Sequence, residues 1–240
     1  MIAAIMQPYF FPYIGYFQLM RAVDVFIFHD DVQYIKAGWV NRNRILLNGE
    51  ASWLTLPVCK GASSLAINQR HYLRDDKASD SIGKRLQGCY AKAPEYAEVH
   101  QFISDLLAFP DSNVAAFNAS SLVAVARRLG ICCEFTSASH IDVPRHSKGQ
   151  DKVIELCRRL GVDRYINPIG GLALYDSAAF AEAGVDLSFL QANPTSYRQF
   201  AAPHLPFLSI IDVLMFNSTA KVQGMLDDFR LVGQEMGSLQ

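Results

Sequence analysis

Two adjacent carboxylates, Asp30 and Asp31, end an apolar run, and a dense polar cluster follows them: Gln33, Tyr34, Lys36, Trp39, Asn41, Arg42, Asn43 and Arg44. A carboxylate partly desolvated by Phe28, Tyr34 and Trp39 would have a raised pKa and could act as a general base. Neighbouring side chains on an extended backbone point to opposite faces, so one of Asp30 and Asp31 is expected to act and the other to support it. Lys36 and Arg42 are the cations expected to hold a phosphate or carboxylate at the reacting centre. A second cluster lies upstream, where Gln7, Tyr9, Tyr13, Gly15 and Tyr16 crowd around Pro8 and Pro12. Tyr9, Tyr13, Tyr16 and Trp39 have the ring faces to stack on a sugar or a base. Gln7, Gln33, Asn41 and Asn43 would supply hydrogen bonds to substrate. Phe10, Phe11 and Phe17 read as core.

Both clusters follow apolar runs with the length and residue types of buried strands, Ile2 to Met6 and Val25 to Phe28. Between them, apolar residues recur at helical spacing from about Ile14 to Val23. Strand, helix, strand is a βαβ unit, and open sheets of this kind bind ligands outside the carboxyl ends of their strands. The two loops are therefore expected to meet on one edge of one sheet. Ile45-Leu46-Leu47, the turn Asn48-Gly49 and the run Trp53 to Val58 predict a β-hairpin. Ile67 to Leu73 reads as a third short strand. Residues 77–93, 94–109 and 113–129 read as helices, so 77–130 is a helical layer or insert. Helix, glycine and strand then alternate at Gly130, Gly161 and Gly184, the pattern of a parallel α/β sheet. Strands are expected at Ile131 to Thr136, Arg164 to Asn167 and Leu187 to Leu190, and a helix capped by Ser147 at Ser147 to Leu160. Asn167, Gly170 and Gly171 fall at the end of one such strand and join the predicted substrate site. Asp212 interrupts an apolar run, Leu208 to Phe216, as either a paired or a poised acid. Beyond Phe216 the pattern is that of an amphipathic helix with frayed last residues. The expected fold class is α/β, a mostly parallel sheet of Rossmann-like type with an N-terminal βαβ unit, a β-hairpin and a helical insert. All 240 residues read as a single domain.

Composition narrows the function. Half the residues are apolar and the net charge is −1, which provides no basic field for nucleic acid. No run approaches the ~18 apolar residues of a membrane span, and no cleavable leader is evident. The five cysteines have no framework spacing, which fits a reducing cytoplasm. There is no Gly-x-Ser-x-Gly elbow, no evident Cys–His pair and no His-Glu-x-x-His, so a hydrolase is disfavoured and no metal site is expected.

The stretch Gln7-Pro8-Tyr9-Phe10-Phe11-Pro12-Tyr13-Ile14-Gly15-Tyr16-Phe17, with Asp30-Asp31-Val32-Gln33-Tyr34 and Asn41-Arg42-Asn43, resembles the WbqC-like family. Tyr165-Ile166-Asn167, Gly170-Gly171, Tyr175-Asp176 and Leu208 to Leu214 resemble it too, so the likeness covers residues 1 to about 215. The family is named for a protein of O-antigen gene clusters. The resemblance implies a bacterial enzyme of surface-glycan, or related small-molecule, assembly, and leaves the reaction open. Tyr13-Ile14-Gly15-Tyr16 is also similar in place and spacing to the His-x-Gly-His motif of nucleotidyltransferases and class I tRNA synthetases, with tyrosines in place of both histidines. Three readings follow. The first is a transferase that moves an acyl or aminoacyl group onto an amino sugar or similar amine, with a nucleotide sugar or activated amine as substrate and an acyl or aminoacyl thioester, of coenzyme A or a carrier protein, as donor. The second is a ligase or nucleotidyltransferase using ATP with magnesium. The third is a non-catalytic binding module. The density of ionisable groups favours an enzyme.

Overall fold

The computed structural model describes residues 1–73, 76–144, 146–200 and 203–233, with the backbone alone at 76–79. The predicted βαβ unit is present as β1 (Ile2–Met6), α1 (Ile14–Arg21) and β2 (Val25–Phe28). The hairpin follows as β3 (Arg42–Leu47) and β4 (Glu50–Thr55). Its turn places Asn48 at φ 52° and Gly49 at φ 84°, the pair of positive angles that a two-residue hairpin turn of this twist requires. Three helices come next: α2 (Asp76–Tyr90), α3 (Tyr96–Leu107) and α4 (Val114–Arg128). The second half contains β5 (Glu134–Ser137), α5 (Gly149–Leu160), β6 (Arg164–Pro168), α6 (Ser177–Glu182), β7 (Asp186–Ala192), α7 (Ile210–Phe216), α8 (Thr219–Met225) and β8 (Phe229–Val232).

The fold is α/β, as the sequence predicts. Six strands form one sheet in the order β5-β2-β1-β6-β7-β8, and β3 and β4 form a separate antiparallel pair. All pairings in the large sheet are parallel except β7 with β8. Strand order reverses between β1 and β6, which makes the gap beyond their carboxyl ends the switch point of the sheet. Alternate side chains of the central strands feed two apolar cores, because successive residues on a strand face opposite sides. Ala4, Phe26 and Phe28 join α1, the hairpin, α2, α3, α4 and α7 on one face. Ala3, Ile5, Val25 and Ile27 join α5 and α6 on the other. Among the described residues no helix is long and apolar enough to cross a membrane.

Four local expectations are corrected. Residues 67–73 contain a 3-10 turn, Ile67–Gln69, because the segment bonds singly to several different neighbours and never to one partner strand. The strand expected at 131–136 is shifted to Glu134–Ser137, where the β2 edge pairs with it. Helix α5 starts at Gly149 and not at Ser147, whose N–H closes a turn onto the Pro144 carbonyl. The amphipathic stretch after Phe216 is a short helix followed by β8, four residues that become a strand because β7 presents them with a free edge. The frayed end expected after it lies at 234–240, outside the described residues.

The loop between β1 and α1 has no regular structure, yet its carbonyls are held one by one. Tyr16 donates its hydroxyl to the Gln7 carbonyl at 2.8 Å, and Asn118 donates to the Pro8 carbonyl at 2.8 Å. Asn43 Nδ2 bonds the Phe10 carbonyl at 3.1 Å, Ser209 Oγ the Phe11 carbonyl at 2.7 Å, and the Ile210 N–H the Pro12 carbonyl at 2.8 Å. The Phe10 N–H bonds the Trp39 carbonyl at 3.0 Å. With that support Phe11 holds φ at 40°, a value that costs a non-glycine residue energy. Asn118 is 1% exposed, also donates to the Val40 carbonyl at 2.7 Å, and accepts from the Tyr72 hydroxyl at 2.8 Å. Truncating it leaves the Pro8 carbonyl without its donor, at a cost of about 1–3 kcal/mol, whereas the Val40 carbonyl keeps its bond from the Tyr72 hydroxyl at 3.0 Å. Asn118→Ala is therefore expected to lower unfolding free energy by about 1–3 kcal/mol, read from the urea midpoint at unchanged slope. A loss under about 1 kcal/mol would show that solvent or rearrangement replaces the clamp.

Candidate functional site

The exits of β2 and β5 open onto a polar cleft of about 940 Å³. One wall is the β2 exit, His29 and Asp31; the other is the β5–α5 connection, Ser139 to Pro144 and Ser147 to Gly149, with the first turn of α5 behind it. The two carboxylates part company here, in the turn that follows β2. Asp30 is 4% exposed and turns inward. It accepts from the Ser139 N–H at 3.0 Å, the Ser139 hydroxyl at 2.6 Å and Asn68 Nδ2 at 3.4 Å. It thereby ties the β2 exit to the β5–α5 connection. Asp31 lines the cleft, with Oδ1 2.6 Å from Nζ of Lys152.

Lys152 is 9% exposed, an unusual depth for an ammonium group. It stands one turn before Leu156 on the buried side of α5, and the Asp31 carboxylate compensates its charge. His29 completes the group. Its Nε2 is buried without a hydrogen-bond partner and lies 3.9 Å from Asp31 Oδ1. Burial and then the positive charge of Lys152 push the imidazole down to about 4, against the upward pull of Asp31 and Asp30. At neutral pH the ring is uncharged, so the contact with Asp31 is not an ion pair, and Lys152 is the carboxylate's counter-ion. Lys148, at the N-cap of α5, and His140 line the same cleft. The arrangement joins a neutral imidazole to two ammonium groups beside a helix start, which suits proton transfer next to a bound anion.

The other predicted residues are distributed over three places. Gln33 also lines the cleft, and its side chain donates to the Ser63 carbonyl at 2.9 Å. Lys36, exposed, lies between the cleft and the hairpin in sequence. Trp39 and Arg42 belong to the hairpin surface: Arg42 donates from Nε to the Gly38 carbonyl at 3.3 Å, from Nη2 to the Ala37 carbonyl, and covers the Trp53 ring at 4.0 Å. Asn41, Asn43 and Asp212 are buried and engaged by the chain's own groups. Asn41 accepts from the Tyr34 hydroxyl at 2.8 Å and donates to the Leu56 carbonyl at 3.0 Å. Asp212 accepts from the hydroxyls of Tyr90 at 2.8 Å and Tyr197 at 2.6 Å, and from Gln199 at 2.9 Å. Burial raises its pKa, opposed by those hydrogen bonds.

Gln7, Tyr9, Tyr13, Gly15 and Tyr16 follow β1, and Asn167, Gly170 and Gly171 end β6 or follow it, so topology places them about the switch point. Tyr16 is buried, and the Tyr13 ring lies over Gly15 so closely that a Cβ there would be 2.3 Å from it. Asn167 accepts from the Tyr165 hydroxyl at 2.9 Å and covers Gly171, where a Cβ would meet its Nδ2 at 2.0 Å. The residues that sequence reasoning did not single out are His29 and Lys152. Lys152 had a signal: a lysine four residues before Leu156 on the apolar stripe of a helix has to find a buried anion. His29 had a weaker one, as the last residue before the paired acids.

The depressed imidazole has a measurable consequence. The unfolded chain takes up a proton on His29 as pH falls through 6.5, while the folded chain resists until about 4. Proton uptake by the unfolded state then removes up to about 3 kcal/mol of stability between those values and no more below them. Urea unfolding across that range should show this loss in the wild type and its absence in His29→Gln. Equal slopes in the two proteins would place the imidazole in a solvated, ordinary state.

The model of the WbqC-like protein family matches residues 7–224, from the first residue of the clamped loop to the last turn of α8. The chain is also similar to the uncharacterized protein Rv1507c of Mycobacterium tuberculosis, at 28% identity over 226 residues, covering 93% of this chain and 96% of that protein. No solved structure matches it significantly. The extent of the family match, which takes in both strand-end loops, the hairpin and the β5–α5 connection, establishes that the chain belongs to the WbqC-like protein family.

Proposed function

We propose that this protein is a cytoplasmic enzyme of bacterial surface-glycan or related small-molecule biosynthesis that transfers an acyl or aminoacyl group to the amine of an amino sugar, as O-antigen and lipopolysaccharide assembly would use. The observation that carries the reading is the group His29, Asp31 and Lys152 on the wall of the polar cleft: a buried, unpartnered ring nitrogen beside a buried ion pair. Amide formation needs a proton acceptor for the attacking amine. In the proposed step the amine nitrogen attacks the carbonyl carbon of a thioester donor. The C–N bond forms and the C–S bond breaks. The amine proton passes to His29 Nε2, and the sulfur leaves as thiolate and is protonated from solvent. Asp31 stabilises the imidazolium that forms. Lys152 and Lys148 take an anionic group of donor or acceptor, a phosphate or a carboxylate. When an anion draws Lys152 away, Asp31 is released toward His29 and the ring becomes a stronger base.

The ATP-dependent reading draws less support. Tyr16 spends its hydroxyl on the Gln7 carbonyl and the Tyr13 ring covers Gly15, so the positions that resemble His-x-Gly-His are closed by their own side chains.

The test is a transfer assay with acyl and aminoacyl thioesters as donors and nucleotide-linked amino sugars as acceptors, read by thiol release and by the mass of the amide. Loss of a general base costs about 10²–10⁴ in rate, so His29→Gln should lower turnover by at least about a hundredfold. Gln carries no charge, as the native ring carries none at neutral pH, so the melting temperature at neutral pH should stay close to wild type. Lys152→Met keeps the stem and removes the charge; it should raise KM for the anionic substrate more than it lowers kcat. Wild-type turnover by His29→Gln would remove the ring from the mechanism.

A further inference from the structure

The hairpin carries a surface that the proposed chemistry does not use. Trp39 is 39% exposed and Trp53 41% exposed, with ring centres 5.3 Å apart and planes inclined by 46°. The Arg42 guanidinium lies 4.0 Å from the Trp53 ring centre, and that of Arg44 lies 5.6 Å from the Trp39 ring centre. Arg44 Nη2 bonds the Phe207 carbonyl at 3.3 Å. Phe207 is 62% exposed at φ 56°, a conformation that a bulky residue rarely adopts, and its ring meets the edge of Tyr13 at 6.1 Å. Arg42, Trp53, Trp39, Arg44, Phe207 and Tyr13 thus form one continuous strip. Among the described residues neither guanidinium has an ion-pair partner. Arg44 Nε is buried with no hydrogen-bond partner at all.

We infer that this strip is the binding site for a pyranose ring that carries an anionic group, a phosphate or a carboxylate. The parts of the two indoles left exposed offer negative π surface to the weakly positive C–H groups of a pyranose. Their 46° inclination gives no parallel slot for a flat base, whereas a puckered ring can rest against both. The stacking also holds the guanidinium planes in place with donors to spare, which is how arginine captures phosphate or carboxylate. A protein partner would have to bury two unpaired cations at the centre of its footprint, which is costly unless it supplies acids there. The inference rests on the transferase reading only in naming this sugar as the acceptor.

The chain has two tryptophans, both in this strip, so the intrinsic fluorescence of the wild-type protein reports on it without a label. The probes are glucosamine 6-phosphate, glucuronate, glucosamine, inorganic phosphate and UMP. The expected result is a saturable change in emission with glucosamine 6-phosphate, with glucuronate, or with both. Their relative strength distinguishes a phosphate from a carboxylate ligand. Glucosamine and inorganic phosphate, each bearing half of the recognition, should bind at least tenfold more weakly. Arg44→Gln should weaken binding at least tenfold with an unchanged circular dichroism spectrum. If that variant does not fold, Arg42→Gln, whose guanidinium touches only two loop carbonyls and an indole, should do the same. The inference is overturned by the absence of a saturable change with either anionic sugar, by UMP binding as tightly as they do, or by Trp53→Ala converting a dimer to a monomer in sedimentation. A silent tryptophan signal with intact group transfer would overturn this site alone. A saturable signal without transfer would overturn the reaction and leave the site.

Discussion

The loop from Gln7 to Tyr13 is an irregular segment in the middle of the molecule, and backbone carbonyls in such a place must find donors or lose several kcal/mol of solvation each. With two prolines in it, the loop cannot satisfy them by becoming a helix or a strand. The donors come instead from far along the chain: Tyr16 from α1, Asn43 from the hairpin, Asn118 from α4, and Ser209 with Ile210 at the start of α7. Each of those elements is therefore fixed against the same few carbonyls. The hairpin and α4 are held to the parallel sheet by this polar knot as well as by the apolar cluster they share with it. The outcome is a sheet whose carboxyl edge is rigid where loops are ordinarily mobile.

Rigidity there has a use. Asp30 repeats the same device beside it, spending its carboxylate on Ser139 and Asn68 to lock the β5–α5 connection to the β2 exit. With Asp30 committed, Asp31 faces the cleft, and Lys152 has one buried anion to meet. A buried ammonium group paired to a carboxylate is a poor source of stability, since the cost of desolvating both ions nearly cancels their attraction. In the proposed reaction the pair on this otherwise apolar helix face prepares the cleft for an anionic ligand. The neutral His29 ring follows from the same constraint, because a second buried cation beside Lys152 is resisted until the pH is far below neutrality.

The hairpin shows the opposite treatment of cations. Arg42 and Arg44 lie on indole rings at the surface, where cation–π contact costs little desolvation and leaves their donors available. The side of the same hairpin that carries Ile45 and Leu54 packs into the core, so its orientation is set by apolar burial. Alternation along β3 then sends Arg42 and Arg44 to one face and Asn43 to the other, where it reaches the Phe10 carbonyl. One strand thus supplies both a clamp for the loop and the arginines of the proposed sugar site.

Much of this was legible in the residues. Continuous apolar runs marked β1 and β2 as strands buried on both faces, and glycines after helices marked the parallel alternation that continues through β6 and β7. Asn48-Gly49 specified the hairpin turn. These are local signals of periodicity and backbone permission, and a chain carries them without a partner. The weaker signals failed where a partner decided the matter: β8 exists because β7 has a free edge, and 67–73 has no strand because no edge is offered to it. The same division runs through the candidate site. Composition and position identified the strand-end loops as places rich in polar chemistry; the expectation that Asp30 and Asp31 differ assumed an extended chain, whereas they lie in the turn after β2. Composition could not say which amides would be spent on the backbone and which on a ligand, since Asn41, Asn43, Gln33 and Gln7 are chemically alike. Nor could it bring Lys152 across 121 residues to Asp31. The sequence by itself determined the α/β alternation, the strand ends where chemistry gathers and the turn of the hairpin, because each is set by near neighbours. Only the tertiary structure decided which polar groups are consumed by the fold and which face the cleft, because that depends on which distant donor, acceptor or charge packing brings within about 3 Å.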